Sequence, residues 1–185
     1  DEVLEREIMN HLFPDTTYGC ESGGDPKNIP DLTYENFLNF HRTYYHPSNS
    51  YIYLYGNMDM EEKLAFLDEH YLSNFEHLDV DSAIEEQKAF AACQDVELEY
   101  PVAENESEED NTYLSYNMVA GNAADSQMAM AFEVLDYALL SAPGAPLKQA
   151  LLDAKVGKDV YGSYDDGILQ PYFTVIAKGS NPDKK

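Results

Sequence analysis

The sequence is poor in cysteine and in basic residues, and it has no long apolar run. The two cysteines, Cys20 and Cys93, lie far apart and in no motif, which excludes a disulfide framework and a zinc knuckle and favours a reducing compartment. Eleven basic residues against 35 acidic ones give a formal net charge of −24. This charge disfavours nucleic acid and anionic membrane as partners, and no apolar stretch approaches the length of a membrane span.

The usual signatures of catalytic residues are also missing. There is no H-E-x-x-H or H-x-x-E-H motif, and His41 and His46 are five residues apart. On a helix their rings diverge by roughly 140°, so they cannot form a two-histidine zinc face. Ser22 stands in E-S-G-G, which is not the G-x-S-x-G turn of a serine nucleophile. We therefore expect no catalytic residue, no metal ligand and no cofactor in this chain.

An acidic run from Glu104 to Asp110 is the one stretch whose residue types suit calcium. It lacks both the ligand spacing and the loop glycine of a calcium-binding loop. The pattern is more typical of a solvated hairpin tip. Weak calcium binding by an independent acidic domain stays open as an alternative.

What the chain does contain is a core and alternating patterns of helix and strand. Hydrophobic residues make up 44% of 185 residues, which suffices for one good-sized domain or two small ones. Thr33 and Asp59 suit helix N-caps, and Asp125 or Ser126 suits a third. The spacing predicts helices over 3–13, 34–45, 60–75, 126–139 and 146–152, and strands over 50–55, 93–102, 112–119, 160–164 and 172–177.

This order of elements predicts an α+β fold, with an antiparallel sheet and helices on one face. Strand 93–102 is expected to pair with strand 112–119. Between about 76 and 90 the periodicity weakens and the acids become denser, which indicates a linker. We therefore divide the chain into an N-terminal part over 1–75, a linker over 76–90 and a C-terminal part over 91–185.

The stretch Leu12–Asp59 carries LFPDTTYGCESGGDPKNIPDLTYENFLNFHRTYYHPSNSYIYLYGNMD. It resembles the presequence-protease branch of the insulysin–pitrilysin clan of zinc metallopeptidases. The resemblance rests on several ordered pieces, among them LFPDTTYG at Leu12–Gly19, SGGDP at Ser22–Pro26 and FHRTYYHPSNS at Phe40–Ser50. SYNMVAG at Ser115–Gly121 is similar to the strand that opens the second domain of that family, although more weakly.

The resemblance implies the metallopeptidase α/β roll, a mitochondrial-processing-peptidase-like fold, in a parent protein that holds zinc. Its zinc ligands and general base would all precede Asp1, so none is carried over to a position here. The chain would then be a non-catalytic supporting and chamber-lining region of a zinc metalloendopeptidase that degrades unfolded peptides. Its partners would be the rest of the same polypeptide, namely the zinc domain and the C-terminal half, and unfolded peptide substrates. The negative charge of the chain favours basic peptides among these substrates. The resemblance and the absence of a signal segment place it in the cytoplasm or an organellar matrix.

Four residues of the glycine loop are candidates for lining the substrate cleft: Tyr18, Ser22, Gly23 and Gly24. A glycine pair gives an approaching peptide backbone room, because no side chain intervenes. A turn that only supports the zinc helices is the alternative for these residues. For the whole chain, the alternative is a zinc-free scaffold or interaction module, since some relatives of this fold have lost zinc.

Overall fold

The computed structural model describes residues 1–184, and its contacts divide them into two compact units. The first unit combines Asp1–Ser22 with the described residues from Ile84 onward, and the second is Gly23–Ala83. The domain boundaries expected from the sequence, with a linker over 76–90, concern the parent protein and stay a prediction.

A three-stranded antiparallel sheet forms the centre of the first unit. Its strands are β1 (Thr112–Val119), β2 (Asp159–Asp165) and β3 (Tyr172–Ser180), in the spatial order β1-β3-β2. Val175 of β3 lies opposite Tyr116 on one side and opposite Gly162 on the other. All three strands were predicted from alternation in the sequence, and the β2–β3 pairing follows the order expected for two closing strands.

Helix α1 (Glu2–Leu12) packs on one face of the sheet. Ile8, Leu12 and the fully buried Phe13 form a core with Ile176 of β3. These helix positions recur at the three- and four-residue steps that predicted the helix, so burial of one apolar face accounts for its formation.

Helices α4 (Ser126–Asp136) and α5 (Pro146–Asp153) follow β1, with a turn of π-helix over Tyr137–Ser141 between them. Asp125 caps α4, because its carboxylate accepts hydrogen bonds from the backbone amides of Gln127 and Met128. Pro146 occupies the first turn of α5, where its missing amide costs nothing. Of the two capping candidates predicted from the sequence, Asp125 and Ser126, Asp125 is therefore the cap.

The spacing of Met128, Phe132, Leu135 and Leu139 predicts that they form the inner face of α4, and this prediction is only partly correct. Phe132 does face the sheet, with its ring 5.3 Å from that of Tyr164. Met128 and Leu135 remain exposed, and Leu140 of the π-turn is the buried residue. Because Phe132 and Tyr164 lie on the face opposite Ile176, helices pack against both faces of the sheet rather than one.

The second unit holds α2 (Tyr34–Tyr44) and α3 (Met60–His70). The Thr33 hydroxyl accepts a hydrogen bond from the amide of Asn36, and the Asp59 carboxylate accepts one from the amide of Glu62. Each side chain thus satisfies an amide that the first helical turn leaves free. Both caps were predicted from the sequence.

Two predicted strands are wrong. Residues 50–55 and 93–102 are extended but belong to no strand among the described residues, and β1 pairs with β3 rather than with 93–102. Alternation makes a segment compatible with a sheet, but a strand forms only where a second backbone supplies its hydrogen bonds. The α+β class with an antiparallel sheet is nevertheless confirmed. Among residues 1–184, no helix is long and apolar enough to cross a bilayer.

Candidate functional site

The glycine loop that carries the four candidate cleft residues runs across the boundary of the two units. Tyr18 and Ser22 belong to the first unit, and Gly23 and Gly24 begin the second. Ser22 and Gly23 are exposed. Gly24 has a φ of +91°, and a Cβ at this position would lie 3.1 Å from the Ile29 side chain. The positive φ favours glycine at 24, and an added Cβ would also require a small shift of the exposed Ile29 side chain.

Tyr18 is held firmly in the first unit. Its hydroxyl accepts a hydrogen bond of 3.2 Å from the backbone amide of Leu169, 151 residues further along the chain. Its ring meets that of Phe13 edge-on at 5.9 Å. Tyr18 therefore links the loop after α1 to the segment that precedes β3. Its side chain is only partly exposed.

A pair of buried glutamines fixes the segment that follows Ile84. The Gln170 side chain accepts from the backbone amide of Gln87 at 2.5 Å and donates to the Gln87 carbonyl at 3.2 Å. The Gln87 side chain accepts from the amide of Asp15 at 2.9 Å and donates to the Asp15 carboxylate at 2.8 Å. The Gln170 amide pairs with both backbone groups of Gln87, whereas the Gln87 amide pairs with the backbone N–H and the carboxylate of Asp15. Three segments that are distant in sequence are thereby connected without a strand ladder.

One lysine of the central strand lies among aromatic and acidic groups. The Lys178 Nζ contacts both carboxylate oxygens of Asp1 at 3.0 Å and lies 5.3 Å from the centre of the Tyr113 ring. A hydrogen bond to the Tyr113 hydroxyl raises the pKa of Lys178, although the side chain is exposed. The lysine therefore carries its charge throughout the physiological range.

Tyr172 begins β3 beside a carboxylate. Its hydroxyl donates a hydrogen bond of 3.3 Å to Asp165. Burial, together with the charge and the hydrogen bond of Asp165, raises the pKa of Tyr172 to about 12. A tyrosinate here would lose its water and face a like charge, so the hydroxyl stays protonated and cannot serve as a base at neutral pH.

A wide cleft of about 2470 Å³ opens between α1, the outer edge of β1 and the extended segment 86–102. Apolar side chains of α1 and of the segment line its walls, among them Leu4, Ile8, Val96 and Leu98. The acidic side chains that line the cleft, called its acidic rim below, are those of Asp1, Glu2, Glu7, Glu86, Asp95, Glu97, Glu99 and Glu108. The cleft lies wholly within the first unit.

The described residues do not fit a zinc ion. Among residues 1–184, no group of three or more histidine, cysteine, aspartate or glutamate side chains converges on one point. The His41 ring stacks on Tyr45 at 4.7 Å, and the His46 Nδ1 accepts from the Ser48 amide. Both histidines therefore have local partners, and Cys20 and Cys93 are exposed, unpaired thiols.

Sequence reasoning missed the two glutamines, Lys178 and the free edge of β1. Gln87 and Gln170 carry no motif, since their partners are backbone atoms that only the fold brings near. Lys178 left a weak signal, because it is the only charged residue in the apolar strand of 172–177 and its extension to Ser180. The β1 edge was missed because the predicted strand 93–102 was expected to cover it.

Comparison with known proteins agrees with this α+β architecture and with the absence of a converging catalytic group in the described residues. The family described as the peptidase M16 inactive domain matches residues 31–184. A protein named HypA from Clostridium perfringens is 48% identical over 185 residues, which cover all of this chain and 19% of that relative. Presequence protease 1 of Arabidopsis thaliana, described as chloroplastic/mitochondrial, is 38% identical over 97% of this chain and 17% of its own length.

A mitochondrial presequence protease of Xenopus laevis is 32% identical over 99% of the chain and 18% of its own length. The chain therefore belongs to the peptidase M16 inactive-domain family and, within that clan, to the presequence-protease branch. It represents a non-catalytic region of this peptidase architecture, as the resemblance in the sequence implied. The chain spans about a fifth of the length of the curated relatives it matches.

Proposed function

We propose that this chain is the supporting and chamber-lining region of a zinc metalloendopeptidase that degrades unfolded peptides. The rest of that enzyme, namely a zinc domain and a C-terminal half, would belong to the same longer polypeptide. The names of the Arabidopsis and Xenopus relatives, and their length of roughly five to six times that of this chain, support this proposal.

One structural observation carries the supporting role: the second unit has no core of its own. None of residues 23–83 is buried. Tyr51, Tyr53 and Tyr55 are 105%, 84% and 85% exposed, and their segment is extended without a strand partner among the described residues. Aromatic rings bury large apolar areas in folded proteins. So much exposed apolar surface is typical of a region that packs against further polypeptide.

Zinc in this proposal belongs to the parent enzyme. Such an ion would activate a water molecule for attack on the peptide bond. The described residues supply no set of ligands for it, so the contribution of this chain is to hold the fold and shape the chamber. Residues Ser22, Gly23 and Gly24 would border that chamber, with Tyr18 fixing the start of their loop.

The charge of the chain bears on the substrates. A net charge of −24 would draw basic, unfolded peptides toward a chamber of which this chain forms a wall. The cytoplasm or an organellar matrix is the proposed location, in line with the chloroplastic/mitochondrial and mitochondrial descriptions of the relatives. At low salt, cleavage of basic peptides by the long polypeptide should exceed that of acidic ones, and 0.5 M salt should remove the difference.

Two samples test the proposal: the 185-residue chain and a polypeptide extended upstream through the preceding region. Zinc content and cleavage of unfolded peptides are measured on both. We expect the short chain to be inert and free of stoichiometric zinc, and the long one to hold one zinc and cleave peptides. A long polypeptide that is also inert and metal-free would replace the proposal with the zinc-free scaffold. Stoichiometric zinc in the short chain would contradict the supporting role.

The glycine loop is tested in the long polypeptide by Gly24→Ala. The matched control is Gly144→Ala, since Gly144 also has a positive φ, of +72°, but no atom within 4 Å of an added Cβ. Both variants strain the backbone, but only Gly24→Ala also narrows the proposed cleft. We expect a higher KM for peptides in Gly24→Ala and an unchanged KM in the control. Equal KM values would show that the loop is only a turn.

A further inference from the structure

The outer edge of β1 presents unpaired backbone groups. Ala120, just after β1, donates its amide to the carbonyl of Pro171 beside β3. Since hydrogen-bonded pairs alternate along an antiparallel ladder, the even-numbered residues of β1 face β3. The odd-numbered ones therefore direct their N–H and C=O groups outward: Tyr113, Ser115, Asn117 and Val119. No other strand of the described chain lies on this side.

All eight residues of β1 line the cleft, so an occupant of the cleft lies within reach of the outward groups of this edge. The opposite wall is the extended segment 86–102, which forms no ladder with β1. Val96 and Leu98 project apolar side chains there and are 42% and 54% exposed. A strand of the length of β1, eight residues, extends about 27 Å at about 3.4 Å per residue. With spacings of about 4.8 Å between strands and about 10 Å between sheets, such a strand occupies roughly 1300 Å³, well within a cleft of about 2470 Å³.

The cleft is strongly acidic. Eight aspartates and glutamates line it, against the two lysines Lys88 and Lys184. Asp1 is neutralised by Lys178, and Glu7 lies 3.6 Å from Arg6. No basic side chain of the described residues forms an ion pair with Glu2, Glu97 or Glu99. A cationic occupant would supply the missing partners.

We propose that the β1 edge binds an extended cationic peptide, which adds to the sheet as a fourth strand inside this cleft. Backbone pairing with the outward groups of β1 provides affinity for any sequence. Alternate side chains of the peptide reach the apolar wall and the acidic rim, which favours alternating apolar and basic residues. A second copy of the chain is a poor occupant, because two chains that each carry −24 repel one another.

This inference deepens the proposed function, since it gives the basic peptides of that proposal a binding site on this chain. Its assay needs only binding to the 185-residue chain. The peptidase proposal fails instead on zinc and cleavage by the longer polypeptide, so the two failures are distinguishable.

The probe is a fluorescein-labelled peptide of eight residues that alternates lysine with valine. A peptide that alternates glutamate with valine is its control. Fluorescence anisotropy should show saturable binding of the lysine peptide at 20 mM salt and at least tenfold weaker binding of the glutamate peptide. Binding of the lysine peptide should weaken as salt rises to 0.3 M. In ¹H–¹⁵N NMR spectra, the largest changes of backbone amide chemical shift on peptide binding should occur at Tyr113, Ser115, Asn117 and Val119.

Ser115→Pro tests backbone pairing directly. It removes one outward N–H and leaves the β1–β3 ladder intact, because proline is tolerated where the amide of an edge strand faces away from its partner. Ser115→Ala is the matched control, since both variants lose the hydrogen bond from Asn117 to the Ser115 hydroxyl. We expect about fivefold weaker binding in Ser115→Pro, the worth of one hydrogen bond, and less than twofold change in Ser115→Ala.

The acidic rim is tested by the double variant Glu97→Lys, Glu99→Lys. Its control is Glu104→Lys, Glu109→Lys, which changes the net charge equally at residues that do not line the cleft. At 20 mM salt the first should bind the lysine peptide about tenfold more weakly than the second. Equal affinities in the two variants would show that net charge alone attracts the peptide and would overturn the site.

Three further results would also overturn the proposal. The first is no saturable binding of the lysine peptide. The second is a dimer in sedimentation that Ser115→Pro dissociates and that excludes the peptide, which would assign the edge to a second copy. The third is NMR evidence, from the backbone amides, that segment 93–102 pairs with β1 and is not displaced by the peptide. That result would mean that the chain itself covers the edge of β1.

Discussion

Replacing Gln170 with methionine should destabilise the first unit by about 2–6 kcal/mol. Methionine has a similar length but no hydrogen-bonding amide. The substitution leaves the N–H and C=O of Gln87 without their partners, in a place where Gln87 is only 6% exposed. Each buried group left without a hydrogen bond costs about 1–3 kcal/mol, which gives the expected sum.

Urea unfolding measures this difference. The chain has no tryptophan, so far-ultraviolet circular dichroism follows the helices instead. Gln149→Met is the matched control, because Gln149 is exposed and bonds only Asp153 on the next turn of its own helix. We expect less than about 0.5 kcal/mol for the control.

Hydrogen exchange gives a second reading of the same variant. The amide of Gln87 should exchange faster in Gln170→Met, since its acceptor is gone. The amides of β3 should exchange faster only by the amount that the loss of unfolding free energy gives, since the most protected amides exchange through global unfolding. A loss of stability below about 1 kcal/mol, with the Gln87 amide still protected, would refute the view that the two glutamines fix this segment.

Two more predictions concern the sheet. Because Tyr172 has a pKa of about 12 when folded and about 10 when unfolded, its contribution is complete below pH 10 and is lost as pH rises toward 12. Between pH 9 and 11.5, Tyr172→Phe should reduce the loss of unfolding free energy by about 1 kcal/mol, a value lowered because the side chain is partly exposed. Urea unfolding over this pH range measures the difference, and the same pH slope in the variant and the wild type would contradict the prediction. Gly162→Ala should lower the melting temperature by about 6–12 °C, the upper part of the range for overpacking, since the new Cβ would clash with the Thr174 carbonyl oxygen and lie 2.7 Å from Leu140. Gly167→Ala, at an exposed turn, is its control, and an equal shift in both variants would refute the packing argument.

The local features of the fold were predictable from the sequence. Thr33, Asp59 and Asp125 each cap a helix by accepting hydrogen bonds from backbone amides two or three residues away. Because donor and acceptor lie so close in sequence, a short stretch of residues suffices to predict the cap. Pro146 at the start of α5 belongs to the same group. The resemblance carried by Leu12–Asp59 gave the family, which the comparisons confirm.

Strand pairing was much less predictable. Residues 50–55 and 93–102 alternate as well as β1 does, yet only β1 acquires a ladder, and its partner β3 begins more than fifty residues later. The information that decides between them lies in tertiary packing, which periodicity does not contain. The same holds for the site: the bond between Tyr18 and Leu169 joins residues 151 positions apart, and no short motif announces it. Whether Tyr18, Ser22, Gly23 and Gly24 border a substrate cleft stays a prediction.

The position of β3 in the sheet has a consequence for how the chain is made. It is the central strand and the last one to leave the ribosome, since Tyr172–Ser180 lies at the end of the described chain. β1 and β2 therefore emerge without the backbone that pairs with both, and the N-terminal α1 waits for its sheet through more than 150 residues of synthesis. Contacts so distant in sequence slow folding. The sheet of the first unit therefore cannot form before β3 has been synthesised, and the dense negative charge of the chain would help to keep its unpaired strands from associating with neighbouring molecules until then.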